Sequence, residues 1–411
     1  MAYELGIDLN KNHALVSIVL PNEEEPVTLS MTDEDDVFVI PYNICRLSDG
    51  RWEIGYRAAN EKDRALFFAD DIFEKALAQK TASIDGKQYS YVELFGIYMQ
   101  NICSFLRVKF GFDISDRAVV TVKIVNDGVL KLFDEIKSAL PIQEVLVRDF
   151  KETFAAYVMA QSPGIYNKAV FLYEFNGKDL TNLILSLDTS LRPNVVKVEE
   201  DIEKGFGERL LNVKKSGTQM DVDFLKILEE DFTYMEASSV FLTGDGFEDN
   251  WAKESVEFIC KGRRAFAGQN LFSKGACYLC LDIDNENKSY VYLGESKTKA
   301  NLCIEINKNK KAEKLTLLSA GENWYETGAS YRIVLEEGNE LNVLLISPDG
   351  TQSQERTLTL SGLPERPKRT GRINVSARAL SEDMFILNIK DLGFGEMYPA
   401  SEKEWEYKIS L

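Results

Sequence analysis

The sequence predicts an α/β fold in two lobes, followed by an all-β, sandwich-like C-terminal module. Three observations support this class. Strands and amphipathic helices alternate over residues 3–281, two hairpins of similar pattern lie in the two halves of that region, and strands dominate from about residue 282. We therefore expect one lobe at residues 1–165, a second at 166–281 and the β module at 282–411.

The composition is that of an acidic globular protein. The 411 residues include 48 Lys and Arg against 66 Asp and Glu, which gives a formal net charge of −18. Such a surface repels phosphate backbones and anionic lipids, so nucleic acid and membranes are not expected partners. The sequence shows no signal-peptide pattern and no apolar run as long as a membrane span, and we expect a cytoplasmic protein.

The cysteine pattern indicates reduced thiols in a packed core. Six cysteines are scattered among apolar neighbours, and only Cys277 and Cys280 form a CxxC pair. Because the chain has one histidine and no second CxxC, these two residues are expected to be small core residues rather than zinc ligands.

In the first lobe, apolar alternation predicts strands at residues 3–9, 14–20, 38–43, 51–56, 117–125 and 144–150. Apolar spacing of three and four residues predicts helices at 92–106, 128–140 and 151–161. Ser90 and Glu93 have the spacing of a capping box, which predicts the start of the first of these helices.

In the second lobe, Asn176-Gly177 predicts the turn of a hairpin over residues 168–187. A charged stretch interrupted by glycines follows at 199–217. The other expected elements are helices at 221–232, 247–262 and 273–282 and a strand with its turn at 238–249. In the β module, strands are expected at 289–294, 301–307, 314–320, 330–336, 340–350, 355–362, 372–380, 384–394 and 404–411, with a linker or long turn at 361–371.

Two hairpin turns share a pattern. Each has an apolar strand that carries an acid near its end, then an apolar residue, an asparagine and a lysine, and each turn is followed by a second alternating strand. The first turn is Asp8-Leu9-Asn10-Lys11, and the second is Glu174-Phe175-Asn176-Gly177-Lys178-Asp179. A third unit, Gly244-Asp245-Gly246, follows a buried strand, and backbone N–H groups in such a turn can line a phosphate or a sugar.

In this order the motifs resemble the actin-like ATPase superfamily of actin, sugar kinases and the seventy-kilodalton heat-shock chaperones, and the chaperones most of all. The resemblance covers residues 3–281 and rests on LGIDLNKNHALVSIV, FVIPYN with WEIGYRA, DRAVVTVKIVNDGVLKLFDEIKSA, RDFKETFAAYVMA, FLYEFNGKDLTNLIL and SSVFLTGDGFEDN with SKGACYLC. It implies two ribonuclease H-like lobes around a cleft. The ligand implied is ATP or ADP with magnesium, held by the two hairpin turns and by the third turn at its adenosine.

The sequence departs from the family pattern at both phosphate turns. The family has glycine and hydroxyl residues after the first acid, whereas this chain has Asn10, Lys11 and Asn12. In the second turn one glycine remains, and Asp179 adds a carboxylate that would repel a triphosphate unless magnesium lay between them. We therefore expect a protein that has the fold of an ATPase and does not hydrolyse ATP.

Each candidate residue has a functional and a structural interpretation. Asp8 can hold a magnesium-bound water or be an ordinary acid at a strand end. Glu174 can do the same in the second half or occupy an exposed hairpin position. Gly244 and Gly246 suit a backbone that approaches a ligand, although a tight turn uses the same residues. Arg263-Arg264 can face a nucleotide or lie on a surface.

Three functions remain open on these residues. The first is a chaperone-like or scaffold protein without ATPase activity, whose β module binds a protein partner. The second is an active, magnesium-dependent ATPase of the chaperone type, in which Asp8, Glu174 and Asp179 hold the metal. The third is an actin-like filament, against which the high negative charge argues. The sequence leaves the partner and the oligomeric state open.

Overall fold

The computed structural model describes residues 4–20, 23, 25–32, 37–110, 117–207, 217–248, 251–283, 285, 289–308 and 311–411. The fold is mixed α/β with 26% helix and 39% strand, which confirms the predicted class at that level. Contacts divide the chain into two compact units. Unit 1 comprises residues 1–186 and 198–286, and unit 2 comprises residues 187–197 and 287–411.

Strands β1 to β16 begin in unit 1, except β14, which begins in unit 2 and ends in unit 1. They are β1 (Glu4–Leu9), β2 (His13–Ile18), β3 (Val27–Thr28), β4 (Ile40–Pro41), β5 (Ile44–Arg46), β6 (Trp52–Ile54), β7 (Phe67–Ala69), β8 (Thr81–Ile84), β9 (Lys87–Ser90), β10 (Arg117–Val122), β11 (Glu144–Asp149), β12 (Ala169–Phe175), β13 (Leu180–Asp188), β14 (Asn194–Glu203), β15 (Ala237–Thr243) and β16 (Arg264–Ala267). The helices are α1 (Gly55–Asn60), α2 (Ile72–Leu77), α3 (Tyr91–Phe110), α4 (Asp127–Ile136), α5 (Phe150–Met159), α6 (Gly217–Tyr234), α7 (Lys253–Ile259) and α8 (Leu271–Asp282).

Two sheets of unit 1 repeat one strand order. The first runs β11-β10-β1-β2-β3, with β4 also paired to β2, and the second contains β16-β15-β12-β13-β14. In each, an antiparallel hairpin (β1-β2 or β12-β13) is extended on the side of its first strand by two parallel strands. Asp8 and Glu174 have equivalent places, because each is the penultimate residue of its strand and each pairs across the sheet with a threonine, Thr121 or Thr243.

Two helices pack against the sheet of the other half. Helix α5 follows β11 of the first sheet, yet the rings of Phe154 and Tyr157 contact Phe241 on β15, with centroids 6.4 and 5.8 Å apart. Helix α8 follows β16 of the second sheet, yet Ala276 and Cys280 pack with Val119 on β10. Helix α5 also contacts its own sheet, because the Thr153 hydroxyl lies 3.0 Å from the Thr121 hydroxyl on β10. These contacts bring the two sheets together and explain why apolar residues cover so much of both helices.

The predicted capping box is confirmed. The Ser90 N–H donates to the Glu93 carboxylate at 2.7 Å, and the Glu93 N–H donates to Ser90 Oγ at 3.1 Å, just as α3 begins. The CxxC prediction is also confirmed in its packing, since Cys277 and Cys280 are buried free thiols. Burial raises the pKa of both, which leaves them protonated and inert at neutral pH.

Several elements differ from the sequence-based prediction. Within the strand expected at 38–43, the two residues Ile40–Pro41 are a strand, which pairs with β2. The hairpin with β6 is formed by the residues that follow, Ile44–Arg46. The charged stretch at 199–217 contains the end of β14, and residues 208–216 lie outside the described residues. The helix expected at 247–262 is shorter and spans Lys253–Ile259, with residues 249 and 250 outside the described part.

Unit 2 consists of strands, as predicted. Its strands are β17 (Tyr290–Tyr292), β18 (Asn301–Lys308), β19 (Lys311–Leu318), β20 (Ala329–Leu335), β21 (Glu340–Ile346), β22 (Ser353–Thr359), β23 (Gly371–Ala379), β24 (Met384–Asp391) and β25 (Glu404–Ser410). Two four-stranded antiparallel sheets, β19-β18-β21-β22 and β20-β23-β24-β25, share one hydrophobic core. Their inner faces follow the expected period of two, and the arrangement is a sandwich.

Among the described residues, no helix has the length and apolar character needed to cross a bilayer.

Candidate functional site

The first hairpin turn is closed by the side chain of Asn10. Its amide oxygen accepts hydrogen bonds from the N–H groups of Asn12 and His13, both at 2.9 Å. The Asn10 amide nitrogen lies 2.7 Å from His13 Nε2, and the Tyr42 hydroxyl donates to the Asn10 carbonyl at 2.9 Å. Two backbone donors of this turn are therefore already occupied by the turn's own asparagine.

The second hairpin turn repeats this arrangement. The amide oxygen of Asn176 accepts hydrogen bonds from the N–H groups of Lys178 at 2.9 Å and Asp179 at 2.8 Å. Gly177 supplies the positive φ of 83° that the turn requires. The two turns that the sequence pattern paired thus use one mechanism of closure.

Asp8, the penultimate residue of β1, is a buried acid just before the first turn, with 5% of its surface exposed. No described side chain forms a hydrogen bond or an ion pair with its carboxyl group. Burial, and secondly the charge of Glu174, raise the pKa of Asp8 well above its usual value. Both effects favour the protonated form of this carboxyl over the form that an exposed aspartate adopts.

Glu174 is the equivalent acid of the second half, and it has a partner. The Lys123 ammonium, at the end of β10, lies 3.6 Å from the Glu174 carboxylate and 3.5 Å from the Thr181 hydroxyl. It also lies 5.6 Å from the centre of the Phe150 ring. A lysine from the first sheet therefore neutralises the acid of the second, a contact that no local sequence signal indicates.

Asp179 takes part in loop packing. Its carboxylate accepts a hydrogen bond from the Gly205 N–H at 2.8 Å, and the Gly207 N–H donates to the Lys178 carbonyl at 2.8 Å. A Cβ on Gly207 would lie only 2.0 Å from the Gly177 carbonyl oxygen. The second turn is thus held by the loop after β14, and Asp179 serves that loop.

A cavity of about 410 Å³ opens beside the second turn. Its lining includes three lysines and one acid, with two further polar residues: Lys123, Lys178, Lys204, Asp179, Asn176 and Thr181. Of the two lysines expected to face a ligand, Lys178 borders this cavity, whereas Lys11 is an exposed residue of the first turn. Basic residues therefore outnumber acidic ones in this lining, whereas acids are in excess over the whole chain.

The Gly244-Asp245-Gly246 turn packs against Phe175. A Cβ on Gly244 would lie 2.4 Å from the Phe175 carbonyl oxygen, and one on Gly246 would lie 2.3 Å from the Phe175 ring. The backbone of Gly244, with φ of 96°, also favours glycine. Close packing on β12 accounts for both glycines without a ligand.

The third turn also faces the first. Burial lowers the pKa of His13, and the charges of Asp245 and Glu248 oppose that effect. Asp245 and Glu248 therefore lie close enough to the imidazole to interact with it, although no described hydrogen bond joins them. The structure therefore brings the first turn, with His13, and the third turn, with Asp245, into one region.

Two buried or nearly buried ion pairs support the start of the connecting helix. Lys151 of α5 lies 2.8 Å from the Glu200 carboxylate on β14, and Arg148 lies 3.5 Å from Glu152. Lys151 thus has a structural role, since it joins the start of α5 to β14. Among the described residues, no group of three or more His, Cys, Asp and Glu side chains could hold a metal ion.

A protein-family model covers most of unit 1. The model of a family of unknown function (DUF5716), C-terminal part, matches residues 25–295. The chain belongs to this family. A domain of unknown function (DUF8552) matches residues 297–411, and no curated protein matches the chain. The family match includes the second hairpin and the Gly244 turn, whereas Asp8 and Asn10 lie before it.

Proposed function

We propose that this DUF5716-family chain is a non-hydrolysing, chaperone-like or scaffold protein of the cytoplasm with an actin-like fold. In this proposal the two lobes are related to the heat-shock chaperones, and the β module binds a protein partner. The repeated strand order of the two sheets supports an internally duplicated fold. The exchanged packing of α5 and α8 supports two lobes that are closely joined.

The closure of both turns by asparagine is the observation that carries the proposal. Phosphate groups bind at turns where backbone N–H groups point outward without a partner. Here the amide oxygens of Asn10 and Asn176 accept hydrogen bonds from the N–H groups two and three residues further along the chain. The residues present therefore do not fit a triphosphate held by turn amides, and we derive no hydrolytic step.

Thermal unfolding with nucleotide tests this proposal. A ligand that binds only the folded state must raise the melting temperature. We expect millimolar Mg·ATP to leave the melting temperature of the wild-type chain unchanged and to release no ADP above the level of an Asp8→Asn control. A rise in melting temperature together with turnover that Asp8→Asn abolishes would refute the proposal.

The second candidate is a magnesium-dependent ATPase of the chaperone type. The observation in its favour is the Asp8 carboxyl, which is buried without a described partner and lies within electrostatic range of Glu174. A cation near both acids would favour their ionised forms. Under this candidate, MgCl₂ without nucleotide stabilises the wild-type protein and not Asp8→Asn, whereas our proposal predicts equal effects on both.

Filament formation is the third candidate, and the structure adds no observation in its favour. Sedimentation over a hundredfold range of concentration tests it. A non-filamentous scaffold keeps one sedimentation profile, while a filament shows a concentration above which pelletable assemblies form.

A further inference from the structure

A second cavity lined by basic residues lies in the second sheet at the end where its parallel strands begin. Arg264 opens β16 and pairs with Ser239 near the start of β15, whereas Glu174 and Thr243 lie at the strand ends next to the candidate site. Parallel strands place their starting residues at one edge of a sheet and their final residues at the opposite edge. Arg264 is therefore remote from the hairpin turns, and Arg263-Arg264 does not face a nucleotide bound between them.

This amino-edge cavity has a volume of about 330 Å³. It is lined by polar and cationic side chains, which include Asn167, Lys168, Ser238, Cys260, Arg263 and Arg264. Lys168 forms an exposed ion pair with Glu236. The volume lies within the range typical of small-molecule sites.

The Arg263 guanidinium is held in place by aromatic rings. Its central carbon lies 4.1 Å from the centre of the Phe232 ring and 5.3 Å from that of Phe258. Nη1 donates to the carbonyls of Phe258 and Lys261, both at 3.3 Å. Within the described part of the chain, Nε and Nη2 have no acceptor, so two nitrogens of an oriented guanidinium, with three N–H donors between them, remain available.

Arg264 lies on the backbone of Gly164. A Cβ on Gly164 would lie 3.2 Å from Nη2 and 3.4 Å from Nη1, so a glycine gives the guanidinium room to pack. Neither arginine forms an ion pair with a described carboxylate.

We propose that this cavity binds a phosphoryl group, either inorganic phosphate or a small phosphomonoester, between Arg263 and Arg264. Guanidinium groups donate in a planar fork that matches two oxygens of a phosphate, and such charge-assisted bonds are stronger than neutral ones. Two guanidinium groups without carboxylate partners supply the charge that a dianion needs. Lys168 and the Asn167 side chain border the space for an organic substituent.

Cys260 provides a direct reporter of occupancy. It lines the cavity and is the exposed cysteine, whereas the other five cysteines are buried. Iodoacetamide, a neutral reagent, should therefore alkylate Cys260 in the native protein. We expect inorganic phosphate at constant ionic strength to slow this alkylation, by about half when its concentration equals the Kd. O-phosphoserine in a parallel series distinguishes a free phosphate site from a phosphomonoester site by its lower or higher half-effect concentration.

Matched variants separate this cavity from the candidate site between the hairpin turns. Arg264→Gln should abolish the protection of Cys260, and Arg264→Lys should weaken it because the fork is lost. Lys204→Gln in the 410 Å³ cavity and Arg332→Gln on an exposed part of β20 should retain it. The proposal is overturned if neither compound protects Cys260 in the wild-type protein, or if Arg264→Gln is protected equally. Neither result bears on nucleotide hydrolysis.

Discussion

The amide oxygens of Asn10 and Asn176 accept hydrogen bonds from equivalent backbone positions, two and three residues further along the chain. The distances are 2.9 and 2.9 Å in the first turn and 2.9 and 2.8 Å in the second. In both turns the asparagine N–H also donates to the carbonyl of the residue three positions later. The two halves of unit 1 thus close their central hairpins in the same way.

We expect Asn10→Ala and Asn176→Ala each to lower the free energy of unfolding by about 1–2 kcal/mol, since each removes the acceptor of two turn donors. Urea denaturation measures the change. Asn12→Ala is the matched control, because the Asn12 side chain makes no described hydrogen bond and is exposed. Equal stability of all three variants would show that the asparagine oxygens do not hold the turns.

Asp8→Asn should become stabilising relative to wild type as the pH rises. The pKa of Asp8 is raised in the folded state above its ordinary 3.8. The folded state therefore retains a proton that the unfolded state loses, and the stabilisation present below pH 3.8 is lost as pH rises through the folded-state pKa. An asparagine does not titrate, so the difference between the variants should grow as the pH rises above 3.8 and should level off above the folded-state pKa of Asp8.

Urea denaturation at several pH values measures this difference. Asp63→Asn, which replaces an exposed acid without a described partner, is the control for the loss of one carboxyl group. A difference between Asp8→Asn and wild type that does not change with pH would contradict a raised pKa for Asp8.

Gly275→Ala should destabilise the crossing of α5 and α8. A Cβ at Gly275 would lie 2.0 Å from the carbonyl oxygen of Thr153, and a backbone atom in a helix cannot move aside cheaply. Overpacking of this kind costs about 1–3 kcal/mol or more. Gly96→Ala in α3 is the matched control, since its Cβ would meet Ile136 Cγ2 at an ordinary 3.5 Å.

The control should gain stability, because alanine favours a helix interior over glycine by roughly 0.5–1 kcal/mol. Thermal or urea denaturation of both variants distinguishes the effects. Stabilisation by Gly275→Ala would show that the two helices do not approach so closely.

In unit 2, Asp391→Asn should be strongly destabilising. Arg366 donates to both oxygens of Asp391 at 2.7 Å, and the side chains are 5% and 0% exposed. Removing the negative charge leaves a buried guanidinium unpaired, which costs about 3–5 kcal/mol. The loop at 361–371 and the end of β24 should lose protection from hydrogen exchange first. Glu336→Gln, which breaks the exposed pair with Arg369, is the control and should change little.

The same pair predicts an acid limit. The Arg366 guanidinium, with the N–H groups of Gly393 and Ser401, holds the pKa of Asp391 far below its ordinary 3.8. Its stabilisation is therefore present above pH 3.8 and is lost as pH falls toward the folded-state pKa. Wild-type unit 2 should weaken in that window, and Asp391→Asn should not show this loss.

Much of the local structure followed from residue periodicity. The hairpins at β1-β2 and β12-β13, the capping box at Ser90 and the β-rich region after residue 282 all depend on neighbours within a few positions. Alternation of period two and spacing of three to four residues report such local geometry directly. The equivalence of the two turns was also visible in the sequence, because it rests on a short repeated pattern.

Tertiary structure decided what those patterns mean. The partner of Glu174 is Lys123, the residue that follows β10. The ring and carbonyl of Phe175 explain the glycines at 244 and 246. Helices α5 and α8 each contact the sheet of the other half. The second half of β14 lies in the charged stretch that begins at residue 199. Consecutive acids, Glu199, Glu200 and Asp201, replace the apolar alternation by which a strand is recognised in a sequence. Contacts between residues far apart in the chain produce no periodic pattern, because the pattern around each residue reflects only its own helix or strand. The sequence alone therefore determined the hairpins β1-β2 and β12-β13 and the longer helices, whereas short elements such as α1, α2 and the β8-β9 hairpin were not predicted. Packing between the elements decided which polar groups remain available for a ligand.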